Sequence, residues 1–269
     1  MPALEPKNNI LNLVQITDSH LFADPAGTLL GLPTSDSLKS VVDLVVQEQQ
    51  GVDLVLATGD IAQDGSAVSY RRFVELVDPI RAPLRWLPGN HDEARVQTAV
   101  ATGKDWSQPV VDMAGWRLVL LNSAVHDAVH GYLEQDQLDL LEAALTTAAG
   151  RHVMISLHHH PVPVGSNWLD HIGLRNADEF FAVVDRYATV RCVLWGHIHQ
   201  EVDRLRNGVR LLATPSTCIQ FAPGSKNFSL DRRLPGYRWL RLHPDGRVDT
   251  AVSRLQWLDH EIDYSGTGY

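Results

Sequence analysis

The sequence predicts an α/β fold, and three observations carry that prediction. Apolar runs of strand length each end at a polar or glycine-rich corner, amphipathic helical stretches lie between them, and 44% of the 269 residues are apolar against 20% charged. Such a composition supports a large buried core and excludes a disordered chain. Alternation of strand and helix along the chain is the pattern of βαβ units.

Seven runs read as mostly buried strands. Residues 10–16 end at Thr17, Asp18, Ser19 and His20, residues 53–57 at Thr58, Gly59 and Asp60, and residues 84–87 at Pro88, Gly89, Asn90 and His91. Residues 116–121 end at Asn122 and Ser123, residues 153–157 at His158, His159, His160 and Pro161, residues 192–195 at Gly196, His197, Ile198 and His199, and residues 209–213 at Thr214 and Pro215. Helical spacing is clearest over 37–49, where Leu38, Val41, Val42, Val45 and Val46 share a face and Ser35 and Asp36 are candidate caps. The same period recurs over 70–77, over 135–148 (Leu138, Leu141 and Leu145) and over 177–187. From residue 208 on, short strands and turns dominate, and 239–242 and 248–253 flank the turn His243-Pro244-Asp245-Gly246 as a hairpin. With no internal repeat or low-complexity linker, residues 10–255 read as a single domain and 256–269 as a polar C-terminal tail.

A formal net charge of −9 disfavours a protein that coats nucleic acid or an anionic membrane, because both need dense Lys and Arg. The two cysteines, Cys192 and Cys218, have apolar neighbours and read as buried free thiols, which fits a reducing compartment. Residues 1–9 carry no charged-then-apolar leader and no apolar run approaches membrane-spanning length, so a cytoplasmic protein is expected. Histidine is the conspicuous residue, with 13 copies.

The chemistry concentrates at the strand ends, where α/β sheets form their ligand crevices. Asp18 and His20 are two apart, as are His197 and His199, so in extended backbone each pair points to one side. The donors are carboxylate, imidazole and amide, with no thiolate, a set that suits Fe, Mn or Zn rather than a cysteine-built structural zinc site. Six or seven donors exceed the needs of one ion with an open position, and two ions sharing a carboxylate are a known device for phosphoester hydrolysis. Any one of these motifs alone is an ordinary cap or turn; five at five strand ends are not. Gly59 and Gly89 are expected to make the tight turns that aim the neighbouring side chains.

Asp18-x-His20, Gly59-Asp60, Gly89-Asn90-His91-Asp92, His159-x-Pro161 and Gly196-His197-x-His199, in this order, resemble the motifs of the calcineurin-like metallophosphoesterases. The resemblance covers roughly residues 12–215 and implies a four-layer sandwich, two mixed β-sheets packed together and flanked by helices. Residues 13–22, 57–64, 213–218 and 227–231 are similar to the bacterial class III cyclic AMP phosphodiesterases and extend the likeness almost to the C-terminus. Carried over, the resemblance implies that Asp18, His20 and His199 hold one metal, that Asn90, His159 and His197 hold the other, and that Asp60 bridges both. The run requires a choice among His158, His159 and His160. The family's ligand stands two residues before the proline, which selects His159, while strand alternation turns His158 and His160 the other way.

Two metal ions are thus implied, Fe or Mn in the first place and Zn as an alternative. The resemblance also implies that His91 is catalytic and faces the phosphate, and that His20, Asp60, Asn90 and His91 contact a cyclic nucleotide. The implied reaction cleaves 3′,5′-cyclic AMP to 5′-AMP by in-line attack of a hydroxide shared between the metals. Asp64 and Asp92 are candidates to orient a ligand histidine or His91. The rival readings are a related hydrolase of glycerophosphodiesters, nucleotide pyrophosphates or phosphoproteins, and a non-catalytic scaffold, which the filled ligand positions disfavour. No nucleic-acid or membrane partner is expected. Trp168 is a packing residue or a nucleobase platform, His171 a candidate cover for the site, and 214–217 a strand-end turn or a substrate loop. Lys226, Arg232 and Arg233 read as solvated charges with a substrate contact as the alternative, and His126, His130, His152, His171, His243 and His260 as surface or satisfied histidines.

Overall fold

The computed structural model describes residues 10–268, so the expectation for residues 1–9 and the last residue of the expected tail, Tyr269, lie outside the described residues. The elements run β1 (Leu11–Ile16), β2 (Thr28–Leu29), β3 (Leu32–Pro33), α1 (Thr34–Glu48), β4 (Leu54–Thr58), α2 (Ala67–Val77), β5 (Leu84–Leu87), α3 (Ala94–Val100), β6 (Val110–Met113), β7 (Trp116–Leu120) and α4 (Gln135–Thr146). They continue as β8 (His152–Ser156), α5 (Asn167–Asp170), α6 (Ala177–Val184), β9 (Val190–Trp195), β10 (Val202–Arg206), β11 (Val209–Ala213), β12 (Gln220–Phe221), β13 (Leu230–Asp231), β14 (Gly236–Leu242) and β15 (Val248–Arg254).

Two mixed sheets result. The first has the order β15-β14-β1-β4-β5, the second β10-β11-β9-β8-β7-β6. β1, β4 and β5 are parallel, as are β7, β8, β9 and β11, and the antiparallel strands sit at the flanks. The period of two explains the layers. Leu11 and Leu13 of β1, with Leu54 and Leu56 of β4, meet Leu118, Met154, Cys192 and Leu194 of the second sheet in the core between the sheets. Val14, Ile16 and Val55 point the other way, onto Leu38, Val41, Val42 and Val45 of α1 and Tyr70 and Phe73 of α2. On the far side, Val153, Ile155 and Val193 pack against Leu141 and Leu145 of α4 and Phe180 of α6. The architecture is therefore helix, sheet, sheet, helix, as the resemblance implies. Cys192 and Cys218 are free and buried, and among the described residues no helix is long and apolar enough to cross a membrane.

Three local readings need correction. α1 starts at Thr34 with Pro33 at its cap position and no side-chain cap, so Ser35 and Asp36 lie inside the first turn, where Asp36 favours the helix dipole instead. Val46, expected on the buried face, is 49% exposed, because the stripe is one residue narrower than the spacing suggested. α3 and β6 were not legible, being short and without a clean apolar period.

Candidate metal centre

The carboxyl ends of β1, β4, β5, β8 and β9 lie at one rim of the sandwich, so the seam between the sheets opens among their loops. The loops are fastened to each other: the Asp18 N–H donates to the Gly59 carbonyl at 3.0 Å, that of His20 to the Asp60 carbonyl at 2.9 Å, and that of Thr217 to the Thr17 carbonyl at 3.1 Å. Asp18, His20, Asp60, His197 and His199 all have left-handed backbones, with φ between 48° and 64°. Few non-glycine residues adopt this region, and they hold it only when the surroundings enforce it. The two-apart pairs thus converge through strained loop turns just beyond the strands, not through the pleat that the sequence reading assumed. Gly89 serves close approach: a Cβ there would come 2.2 Å from the Asp60 Oδ1. Gly59 has φ +96°, and a Cβ there would lie 2.4 Å from the His158 Nδ1.

One donor group comprises Asp18, His20 and His199, all buried. The His199 Nδ1–H donates to the Ile219 carbonyl at 2.8 Å and the His20 Nδ1–H to the Gln63 Oε1 at 2.7 Å. Both Nε2 atoms therefore carry lone pairs, yet they face each other at 3.2 Å, with Asp18 Oδ1 3.5 Å from one and Asp60 Oδ2 3.9 Å from the other. A second group comprises His158, His159 and His197. The His158 Nδ1–H donates to the Thr58 carbonyl at 2.8 Å, and its Nε2 lies 3.2 Å from both Asp60 Oδ2 and Asn90 Oδ1. His197 Nε2 is on the Ile172 carbonyl at 3.1 Å, and His159 Nδ1 is on the Ser123 Oγ at 2.8 Å. His159 Nε2 is buried with no hydrogen-bond partner. Lone pairs converging on lone pairs in a buried site repel unless a cation or a proton sits among them. The nitrogen and oxygen donors thus fit divalent cations, and their outer nitrogens are fixed as metal-binding imidazoles require.

The electrostatics follow from this crowding. Burial holds His20 down to about 3, aided by repulsion from His91 and His199 against the opposing pull of Asp60. Burial and neighbouring imidazoles also hold His159 and His197 well below the usual histidine range. Burial opposes charge on Asp60 too, but His158 and His91 outweigh it and keep the carboxylate well below its ordinary value. For His158 burial is likewise overcome, here by Asp60, and the imidazole rises to about 9. A proton and a cation compete for the same His158 nitrogen.

His91 lies beside these groups, half-buried, with its ring edge-on to His20 at 5.0 Å and its backbone N–H donating to Asp60 Oδ1 at 2.9 Å. A cavity of about 220 Å³ opens here, bordered by Asp60, Asn90, His91, His197, Trp168 and Phe221. Trp168 packs on Phe221 and Phe228 with its Nε1–H donating to the Ser225 Oγ at 3.1 Å, so it is both a packing residue and a cavity wall.

Several expectations shift. Asp92 and Asp64, expected to orient a ligand histidine or His91, hold loop backbone: Asp92 accepts from the N–H groups of Ile61, Ala62 and Gly89, and Asp64 from those of Ala23 and Ser66. Desolvation and the nearby Asp60 raise Asp92 to about 7. Gln63 and Ser123 orient histidines instead; neither was singled out, although Gln63 lies within the quoted 57–64 motif. His171 is exposed with its Nδ1 on the Asn167 carbonyl, and its neighbour Ile172 lines the cavity. Residues 214–217 are buried support, with the Ser216 Oγ–H donating to the Asp18 carbonyl at 2.7 Å. Lys226, Arg232 and Arg233 are exposed.

The profile of the calcineurin-like phosphoesterases matches residues 11–201. This chain belongs to that family. Among curated relatives of this phosphoesterase, the 3′,5′-cyclic adenosine monophosphate phosphodiesterase CpdA of Pseudomonas aeruginosa is 55% identical over 96% of this chain and 94% of its own length. The CpdA of Escherichia coli K12 is 44% identical over 96% and 95%. A dimetal phosphatase from Danio rerio has the same fold, with TM-score 0.62 and 16% identity over 91% of this chain and 98% of that one.

Proposed function

We propose that this phosphoesterase is a cyclic-nucleotide phosphodiesterase that hydrolyses 3′,5′-cyclic AMP to 5′-AMP with two metal ions. The observation that carries the reading is the convergence of buried, tautomer-fixed imidazoles on Asp60 from both sheets, His20 Nε2 at 3.9 Å and His158 Nε2 at 3.2 Å from the same oxygen. Near full-length likeness to two CpdA proteins supports the choice of substrate.

Asp18, His20 and His199 would hold one ion, Asn90, His197 and a histidine of the 158–160 run the other, and Asp60 both. The motif selects His159; the approach of His158 Nε2 to Asp60 and Asn90 favours His158, with His159 beside it. When bound, two such cations supply Lewis acidity for phosphoester hydrolysis. The chain's own residues do the rest. Asn90 and His91 border the cavity in which the phosphate sits. His91 donates a proton to the ribose 3′-oxygen as the P–O3′ bond breaks, an oxygen from water forms the new bond to phosphorus, and the proton that this water gives up restores His91. Asp60 Oδ1 accepts from the His91 backbone N–H, which keeps the acid, the carboxylate and the substrate in register.

The test is a side-by-side assay of metal-replete protein on 3′,5′-cyclic AMP, 2′,3′-cyclic AMP, a glycerophosphodiester and a nucleotide pyrophosphate, with product analysis and quantified metals. 5′-AMP as the dominant product supports the reading, and negligible turnover of 3′,5′-cyclic AMP overturns it.

A further inference from the structure

We infer that Gln15 is a positioning residue for the metal centre: its buried amide joins the two sheets beneath the donor loops and sets how far apart those loops stand. The inference rests on the two-metal reading proposed above. Three neighbouring strands of the first sheet change character as they near the site. On the face turned to the second sheet, β1 runs Leu11, Leu13, Gln15 and β4 runs Leu54, Leu56, Thr58, while the antiparallel β14 runs Leu242, Leu240, Arg238 in the same direction. The leucines belong to the core between the sheets. The three polar residues that follow them are buried as completely, at most 1% exposed.

Their hydrogen bonds cross the seam. The Gln15 Nε2 donates to the Thr58 Oγ1 at 2.6 Å and to the Trp195 carbonyl at 3.1 Å, and its Oε1 accepts from the Thr214 hydroxyl. Thr214 accepts in turn from the Arg238 Nε–H at 3.1 Å. The same guanidinium donates to the Ala213 carbonyl at 2.8 Å and to the Val202 carbonyl at 3.2 Å. Gln15, Thr58 and Arg238 belong to the first sheet, Trp195, Val202 and Ala213 to the second, and Thr214 follows β11 directly. Stability alone does not require such a layer, because replacing both partners of a hydrogen bond by apolar groups of the same shape is nearly neutral. Hydrophobic contact is non-directional, whereas a fully satisfied buried polar network specifies one arrangement. Each end of the bridge leads to a donor. The Thr58 carbonyl accepts the His158 Nδ1–H at 2.8 Å, Trp195 stands two residues before His197, and Gln15 three before Asp18. Just beyond the bridge the loops have no slack: a Cβ at Gly196 would come 2.2 Å from the Thr17 Oγ1 and 2.6 Å from the Asp18 Oδ2.

Gln15→Met and Thr214→Val test this, since each fills much of the same space and breaks the bridge, while Thr214→Ser keeps the hydroxyl. Val45→Ala, on the face of α1 that packs against the outer side of the first sheet, is the control for lost stability. Each protein is measured for Mn²⁺ affinity by competition with a chromogenic chelator and for thermal unfolding after chelator treatment. Electron paramagnetic resonance of the Mn²⁺-loaded form reports the coupling between neighbouring ions. Gln15→Met is expected to weaken one ion by about tenfold or more and to alter the coupling. Thr214→Val is expected to act in the same direction to a smaller degree, and Thr214→Ser and Val45→Ala to match the parent in both. Parent affinity and coupling in Gln15→Met and Thr214→Val would overturn the inference. So would an equal loss of affinity in Val45→Ala, which would reduce the bridge to a stability effect. If Gln15→Met fails to fold, Thr214→Val against Thr214→Ser decides alone. A parent that takes up fewer than two ions per chain refutes the two-metal reading itself; a parent with two ions and unmoved variants refutes only the bridge.

Discussion

Replacing Gln63 by Leu tests the logic of the metal centre without touching a ligand. Gln63 is half-buried, and its Oε1 accepts the His20 Nδ1–H at 2.7 Å, while His20 itself is fully buried. Leucine fills much of the same space but removes the acceptor. A buried N–H left without a partner costs about 1–3 kcal/mol. The ring then gains by turning or by moving its proton to Nε2, and either change withdraws the lone pair from the site. Loss of such an orienting partner typically lowers metal affinity about 10–100-fold, or roughly 1.4–2.8 kcal/mol, so the two routes agree. The assay is Mn²⁺ binding in competition with a chromogenic chelator, with thermal unfolding of the chelator-treated protein run in parallel. One of the two ions is expected to weaken by that factor, and Gln63→Glu, which retains an acceptor, to restore it. Affinity within about twofold of the parent would refute the reasoning, and so would a lowered melting point with unchanged affinity, because Gln63 would then be structural only.

Three further predictions follow. His91→Ala is expected to lower kcat by about 10²–10⁴ and to retain both metals by elemental analysis; loss of a metal would make His91 a ligand. His158→Ala is expected to lose more Mn²⁺ affinity than His159→Ala, because His158 Nε2 approaches Asp60 and Asn90 at 3.2 Å; the reverse order would return the ligand role to His159. Asp112 is held below the usual carboxylate range first by hydrogen bonds from Arg117, at 2.7 and 2.8 Å. A depressed folded-state value stabilises above the unfolded value of about 3.9 and is lost as pH falls through the folded value. The melting-point gap between the parent and Asp112→Asn should therefore be widest near neutrality and close in acid; a gap that widens in acid would reverse the sign of the argument.

The sequence was most informative where chemistry and strand ends coincide. Asp18, His20, Asp60, Asn90, His197 and His199 were legible because unrelated polar residues recurred where apolar runs stopped, and the structure gathers them in one place. What stayed illegible depends on backbone detail. Choosing among His158, His159 and His160 requires the course of the chain past β8, where strand alternation no longer governs direction. Gln63 and Ser123 act through single hydrogen bonds to rings that arrive from other strands, and no periodic signal marks such a residue. Asp92 and Asp64 were over-read for the same reason: a carboxylate next to a ligand motif also serves to fasten a loop, and only the positions of the N–H groups decide which it does. The polar composition of 256–269 hid the apolar anchors Leu258 and Ile262, which pack against the core outside the second sheet and are too few to register as a pattern.

The geometry of the site is set by how the sandwich is packed. Asp60 spends Oδ1 on the His91 backbone N–H and directs Oδ2 to His20 and His158. His20 belongs to a loop of the first sheet and His158 to one of the second, so the separation between them is fixed by the layer of Leu13, Leu56, Met154 and Leu194 beneath. Dense interiors transmit small volume changes rather than absorbing them. The loops cannot compensate easily, because five of their donor residues, Asp18, His20, Asp60, His197 and His199, already occupy left-handed conformations, and backbone hydrogen bonds tie the Asp18 and His20 turn to that of Asp60. Precision at the seam is therefore a property of the inter-sheet core, and the strained turns pass that precision to the donor atoms.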